Sequence, residues 1–374
     1  MIIGVLKEIK DNEGRVAITP QGVRACAGAG HRVLIESSAG AGSGIDNEHF
    51  SQAGAEILDN KISVCDAADL ILKIKEPLPS EYRVFHPGQM LFTFFHFASN
   101  KELAEAMLRA QVTCIAYETV ETAEGKIPLL APMSEIAGKM APMVASCYLA
   151  KSAGGKGILA SFVEHVPPAR FVILGGGNAG RAAAAVALGI DAEVVILDKS
   201  GDIIEKLKEM FPRAICALSS PEAVAKHVAM ADVVIGAAHV PGAQAPKLVS
   251  RRQVRDMEAG SVIVDIAIDQ GGCIETSRPT THSHPAYVEE GVVHYCVTNM
   301  PGIFPRTGTY ALAYETLPYI LELAGKGLKA FDNEALMRGL NMYKGKITSR
   351  KVAESHGLPW SDPGEALSHA AHNP

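Results

Sequence analysis

Apolar and polar positions along this chain fall into two successive series of short apolar runs separated by helical periods. In the first, Ile2–Val5, Arg32–Ile35, Leu70–Ile74, Met90–Phe95 and Thr113–Ala116 are rich in β-branched and aromatic residues, the mark of buried strands. Thr19-Pro20 supplies an N-cap and a first-turn proline for one helix, and Ser99-Asn100 precedes another over Lys101–Arg109. Residues 126–134 carry two prolines and read as a crossing segment. A long helix from about Ser134 to Ser152 is expected next, N-capped by Ser134 and kinked at Pro142, until Gly154-Gly155-Lys156-Gly157 breaks the chain. The second series runs strand 171–174, helix 179–189, strand 193–197, helix 201–211, then strands near 232–236, 261–265 and 292–297. Beyond Pro305 the pattern is helical through Leu323 and again over 332–340 and 349–356. Strand–helix alternation of this kind predicts an α/β fold with parallel sheets covered on both faces. The expected division is one domain of 1–130 plus 306–374 and a second of 131–305, with a cleft between them.

Composition narrows the class of protein. The chain has 374 residues, 48% of them hydrophobic and 20% charged, enough for two cores and too apolar for disorder. A net charge of −6 leaves no basic excess for neutralising phosphates, so no nucleic-acid partner is expected. No uninterrupted apolar run approaches the roughly 18 residues of a membrane span, and the N-terminus lacks the pattern of a signal peptide. The seven cysteines (26, 65, 114, 147, 216, 273 and 296) are odd in number and scattered without a Cys-x-x-Cys, which points to a reducing cytoplasm. His282 and His284 stand two residues apart with no third ligand in view, so a polar loop is expected there and no metal.

The sharpest chemical signal lies in the second series. Phe171-Val172-Ile173-Leu174 runs into Gly175-Gly176-Gly177-Asn178-Ala179-Gly180 and an alanine-rich helix, a G-x-G-x-x-G in its strand–loop–helix setting. Gly175 suits the tight turn, Gly177 the approach of a pyrophosphate to the backbone, and Gly180 close helix–strand packing. The helix N-terminus then faces the diphosphate. The next strand ends in Asp198, eighteen residues beyond Gly180, where an acid grips adenine-ribose hydroxyls. A carboxylate there repels a 2′-phosphate and selects NAD, with Lys199 weakening the preference; the bland alternative for Asp198 is a helix N-cap. The second domain is therefore read as a Rossmann dinucleotide-binding domain with NAD as cofactor.

Polar side chains end several other apolar runs, where open α/β sheets collect their ligands. In Leu72-Lys73-Ile74-Lys75-Glu76-Pro77, strand alternation puts both lysines on one side, with Lys75 the better placed to reach a cleft. His96 ends the run from Leu91; taken alone it is better read as a satisfied, half-buried imidazole. Arg15, by itself, is an ordinary surface arginine. Asp265 and Asp269 interrupt an apolar stretch ending in Gly271-Gly272; Asp265 suits a structural strand-end role and Asp269 a cleft. Thr298-Asn299-Met300-Pro301-Gly302 ends the following strand with an amide and a turn.

Taken together, Asn12–Pro20, Leu72–Pro77, Ala116-Tyr117-Glu118-Thr119-Val120, Leu130-Ala131-Pro132-Met133-Ser134-Glu135, Val264–Gly272 and Asn299-Met300-Pro301 resemble bacterial L-alanine dehydrogenases, in order from residue 1 to about 360. Leu6, where a proline is usual, and the Gly176-Gly177-Asn178 stretch depart from that pattern. The resemblance implies oxidative deamination of L-alanine to pyruvate and ammonium with NAD, in a homohexamer. It implies that Arg15 and Lys75 hold the carboxylate and carbonyl of pyruvate and that Met133 borders its methyl group. His96 would be the acid/base, assisted by Asp269 at the reacting carbon. Around NAD it places Ser134, Gly175, Gly177, Asn178, Ala179, Gly180, Asp198, Val240, Ala267, Ile268, Asp269, Thr298, Asn299 and Met300. A dehydrogenase for another keto acid such as glyoxylate, and a transhydrogenase-type NAD-binding subunit, are the alternatives.

Overall fold

A computed structural model describes residues 1–238 and 245–368. Fifteen strands occur among them: β1 Ile2–Val5, β2 Arg32–Glu36, β3 Glu56–Leu58, β4 Leu70–Leu72, β5 Met90–Thr93, β6 Thr113–Ala116, β7 Arg170–Leu174, β8 Glu193–Asp198, β9 Ile215–Leu218, β10 Val233–Gly236, β11 Val262–Asp265, β12 Ala286–Glu289, β13 Val292–Tyr295, β14 Leu340–Tyr343 and β15 Lys346–Ile347. The chain divides into two compact units, Met1–Met133 with Gly302–Pro374, and Ser134–Pro301.

The first unit holds an eight-stranded sheet in the order β15-β14-β6-β5-β4-β1-β2-β3. Its six strands from β6 to β3 are parallel, and β14 and β15 join antiparallel beyond β6. The second unit holds seven strands in the order β12-β13-β11-β10-β7-β8-β9, parallel except for the antiparallel edge strand β12. Counting each unit's parallel strands in chain order, both read 3-2-1-4-5-6, the doubly wound dinucleotide-fold arrangement. The order reverses between β1 and β4 in one unit and between β7 and β10 in the other. Loops leaving the carboxyl ends of strands at such a switch point diverge and open a crevice, which is where ligands bind in these sheets.

Local chemistry explains the main elements. Parallel central strands are buried on both faces, and accordingly Phe171–Leu174 and Val233–Gly236 are buried throughout. Thr19 caps the helix Pro20–Gly28 through the Gly22 amide, and Asn100 caps Lys101–Ala110 through the Leu103 amide. One expectation is corrected: the long helix runs Ala131–Tyr148, so Ser134 lies in its first turn and is not its N-cap. Pro132 fits that earlier start, since the first-turn amides have no intrahelical acceptor and a missing N–H costs nothing there. The helix also ends sooner than expected, and Lys151–Ala153 forms a separate 3₁₀ turn. The C-terminal region likewise departs from the helical reading, because Leu340–Tyr343 leaves the short helix Glu334–Gly339 to pair with β6.

Candidate active site

At the switch point of the first unit, the loop after β1 carries Arg15. It is no surface arginine: it is 2% exposed. Its Nε donates to Glu13 Oε1 at 2.8 Å and its Nη2 pairs with Glu13 Oε2, a fork-to-fork contact that fixes the guanidinium plane. Nη1 lies 2.7 Å from Met133 Sδ, so the geometry brings together two residues separated by more than a hundred positions. Gly308, on the helix Pro305–Lys326, makes room for the arginine stem; a Cβ there would sit 2.7 Å from Arg15 Cδ. The loop is tied to the same helix by the Val16 amide, which donates to Thr309 Oγ1 at 3.0 Å.

Across the switch point, β4 ends at Leu72 and the two following lysines part company. Beyond Leu72 two backbone bonds of 3.3 Å still tie this segment to its neighbour, from the Lys73 amide to the Phe92 carbonyl and from the Phe94 amide to the Ile74 carbonyl, and the two lysines find different surroundings. Lys73 turns inward onto Glu8 (3.1 Å) and Glu81 (3.2 Å). Burial alone would lower the Lys73 pKa, but attraction to the two carboxylates outweighs it and raises the value. Glu81, which burial would raise, is drawn below its ordinary value by Lys73. Lys75 is also buried, at 4% exposure, yet its ammonium makes no hydrogen bond or ion pair among the described residues. Its backbone is held instead. Glu8 Oε1 accepts from the amides of Ile74 (2.6 Å) and Lys75 (3.3 Å), and Thr93 Oγ1 donates to the Lys75 carbonyl at 3.0 Å.

His96 follows the neighbouring strand β5. It is half-buried, its ring nitrogens make no hydrogen bond among the described residues, and its backbone is left-handed with φ 51°. Glu76 feels the charge of both His96 and Lys75. Burial would raise that carboxyl, but Lys75, Lys10 and His96 together hold it below its usual range. Lys75 and His96 therefore leave adjacent strand ends and act on one carboxylate.

In the second unit the glycine loop leaves β7 at the other switch point. Gly175 has φ 108°, and a Cβ on it would meet the Ala237 carbonyl at 2.7 Å. Gly180 packs so closely that a Cβ would lie 1.8 Å from the Gly175 carbonyl oxygen. Gly177 is the opposite case: a Cβ there meets nothing within 4 Å, so its bare backbone borders open space. Ala179 and Asn178 form the first turn of the helix Asn178–Gly189, whose opening amides have no intrahelical partner. A residue the motif does not include also shapes this turn: Gly138, on the long helix, lies where a Cβ would meet the Ala179 carbonyl at 2.2 Å.

Asp198, at the end of β8, is not the helix cap; Ser200 fills that role through the Ile203 amide. Asp198 Oδ2 accepts from the Gly176 amide at 2.7 Å, and Oδ1 from the Ser200 amide at 2.9 Å, so the acid is locked to the glycine loop. Asp265 is fully buried, raised above its ordinary pKa by burial, and accepts from the Cys273 and Ile274 amides. It is the structural acid of the pair. Asp269 is half-buried in the 3₁₀ turn Ile266–Gln270, with Ala267 and Ile268 beside it. Both its oxygens face the Asn299 amide, at 3.2 and 3.3 Å. Asn299 is left-handed, with φ 62°, and its carbonyl is met by His282 Nε2 at 3.1 Å, a tether from the loop that had only the look of a polar turn. Thr298 is anchored to the Thr280 carbonyl, and Met300 is buried in the sheet core. Val240 lies outside the described residues. Among those described, no group of three or more His, Cys, Asp or Glu is placed to hold a metal ion.

Four residues that hold these groups, Glu8, Glu13, Gly308 and Glu118, the last accepting from the His96 amide, were not among the candidates read from the sequence. Glu118 carried a usable signal, an acid closing an apolar run as Asp265 does; Glu8 carried none, because its partners lie more than sixty positions away.

Two doubly wound units, one with a glycine loop locked to a strand-end acid, define a two-domain protein of the Rossmann-like α/β class. The family models described as alanine dehydrogenase/PNT, N-terminal domain and C-terminal domain match residues 4–137 and 141–350, and the chain belongs to this alanine dehydrogenase/PNT family. It is 50% identical to an alanine dehydrogenase of Methanococcus maripaludis and 46% identical to one of Mycolicibacterium smegmatis, each alignment covering 98% of this chain and 100% of the relative. Among solved structures, an L-alanine dehydrogenase superposes with a TM-score of 0.90 at 43% identity, covering 96% of this chain and 99% of that one. A transhydrogenase from Sinorhizobium meliloti superposes at 0.78 with 25% identity, covering 94% and 99%.

Proposed function

We propose that this chain is an NAD-dependent L-alanine dehydrogenase, interconverting L-alanine and water with pyruvate and ammonium. The observation that carries the site reading is Lys75. A buried ammonium that feels the Glu76 charge but has no hydrogen-bond acceptor among the described residues is costly, and its retention makes sense where an oxygen of the substrate completes the pairing. Arg15, its plane set by Glu13, takes the substrate carboxylate. Met133, in contact with that guanidinium, borders the methyl group. The unit Met1–Met133 with Gly302–Pro374 thus serves the substrate, and the unit Ser134–Pro301 serves NAD.

The dinucleotide fits the second unit on three counts: the open space at Gly177, the free amides of the helix that follows, and Asp198 at the end of β8. When bound, NAD supplies a hydride acceptor for Cα of alanine. A ring nitrogen of His96 takes the proton of the water that adds to the resulting substrate imine and passes it on when ammonia departs. Lys75 steadies the oxygen that gains negative charge as the carbinolamine collapses to the ketone. Asp269 holds the amine or ammonium.

The test is the decay of NADH absorbance with pyruvate and ammonium, run beside glyoxylate, 2-oxobutyrate and NADPH. Pyruvate with NADH should turn over fastest. Faster turnover of glyoxylate would reassign the substrate, and NADH binding without turnover of any keto acid would favour a transhydrogenase-type subunit. Assembly as a homohexamer and residence in the cytoplasm complete the proposal. Exposed Leu159, Phe162 and Val166 support the first, and the scattered cysteines support the second. Light scattering would measure the assembly. No described helix is long and apolar enough to cross a membrane.

A further inference from the structure

We infer that Glu118 is the positioning residue of His96: its carboxylate holds the backbone turn that aims the imidazole. The inference rests on reading His96 as the proton-transfer group. The register of β5 and β6 pairs Thr93 with Ala116, which sets the turn Tyr117–Thr119 beside residues 94–96. Glu118 is 6% exposed. Its Oε1 accepts from the His96 amide at 2.6 Å, and both its oxygens lie 3.3 Å from the Phe95 amide.

Two successive amides converging on one carboxylate fix the direction in which the chain turns, and charge makes each bond stronger than a neutral one. That grip falls where the backbone needs it. His96 is left-handed, at φ 51° and ψ 39°, a conformation uncommon for side chains with a Cβ. The same turn also steadies the ring. Tyr117 meets Phe94 edge-on at 5.1 Å, and Phe94 lies parallel to the imidazole at 5.8 Å. Without the carboxylate, the buried Phe95 amide loses its acceptor and the left-handed turn loses its support. The imidazole then relaxes away from the substrate while Arg15 and Lys75 stay in place.

Glu118→Ala and Glu118→Gln in the full-length enzyme test this. Glutamine keeps one acceptor oxygen and turns an amide NH₂ toward the remaining donor, so it rescues only in part. The expected result is unchanged NADH binding, a KM for pyruvate within about threefold, and kcat reduced roughly 10²-fold in the alanine variant and about tenfold in the glutamine variant, the scale on which a misplaced catalytic group loses rate. The ring titration of His96, followed by NMR with labelled histidine and assigned with His96→Gln, should move in both variants. If the alanine variant does not fold, the glutamine variant carries the same comparison. A folded variant with kcat within about threefold of the parent overturns the inference. So does a loss of kcat that comes with weakened NADH binding while the His96 titration stays put. If the parent turns over no keto acid, the functional reading falls instead, and the titration alone decides whether Glu118 sets the imidazole.

Discussion

Both units wind their strands in the same 3-2-1-4-5-6 order and collect their candidate groups around the same switch point, yet they fix those groups by different means. In the first unit, carboxylates turned inward do the holding: Glu13 on the Arg15 guanidinium, Glu8 on the Lys75 backbone, Glu118 on the His96 backbone. In the second, the crevice is shaped mainly by the absence of side chains at Gly175, Gly177 and Gly180, with Asp198 bracing the loop. A small, charged, reacting molecule needs directed groups at definite points, and each such group must be buried with a counter-charge to stay put. A dinucleotide presents a long diphosphate that the backbone amides of one loop can meet, provided that no Cβ intrudes. On the proposed function, the same topology yields a site of side chains in one unit and of backbone in the other.

The sharpest way to break this contrast is His96→Gln. If the first unit works through its directed side chains, the variant folds, binds NADH as the parent does and loses about 10²–10⁴-fold in kcat for both alanine and pyruvate. Its pH profile also loses one limb, because glutamine does not titrate. Retained kcat would reduce His96 to a core imidazole.

Lys73→Met probes the framework behind those side chains. It leaves Glu8 and Glu81 buried without their shared cation, so denaturant unfolding at neutral pH should show a loss of about 3–5 kcal/mol. The pH dependence should also shift, chiefly through Glu8, whose pKa burial already raises in the parent. In the parent, Glu81 has its folded pKa below the ordinary value of 4.5, so its stabilising contribution is present above that value and fades as the pH falls through the folded pKa. In the variant, mild acidification should restore stability by protonating Glu8, which loses its cation, whereas Glu81 still pairs with Lys61 at 3.0 Å.

The glycines of the second unit are separable in the same spirit. Gly177→Val should abolish NADH binding by calorimetry with little change in melting temperature, since a Cβ there meets nothing in the protein itself. Gly180→Ala should do the reverse and lower the melting temperature, because its Cβ overlaps the Gly175 carbonyl. Identical behaviour of the two variants would show that the loop serves packing alone. The smallest effect is expected at the turn between β12 and β13, where Arg255 and Arg251 hold Glu290 at a pKa of about 2. Its stabilising contribution is present above 4.5 and is lost as the pH falls toward 2. Glu290→Gln should flatten that acid slope slightly, and salt should erase the difference.

Much of the fold was legible from periodicity. β1, β2, β4, β5, β6, β7, β8, β10, β11 and β13 lie on apolar runs that double-sided burial requires. The strands that escaped are edge or near-edge ones. β9 is exposed at both ends, β3 is three residues long, and β14 follows a helix directly, so none presents the long apolar run of a central strand.

What the sequence determined by itself was whatever depends on neighbours in the chain: the glycine loop, the acid one strand later, and the blocks that mark the family. Tertiary structure decided the rest. It set Lys73 between Glu8 and Glu81, buried the apparently ordinary Arg15 against Glu13 and Met133, and made Asp265 structural while leaving Asp269 beside Asn299. It also set Glu8 beside Ile74, and Glu118 beside His96. The physical reason is range. A turn or a cap is satisfied by atoms a few residues away and leaves its signature in a local pattern. A buried charge is satisfied by whichever distant strand end the winding of the sheet delivers, and that pairing exists only once the sheet has formed.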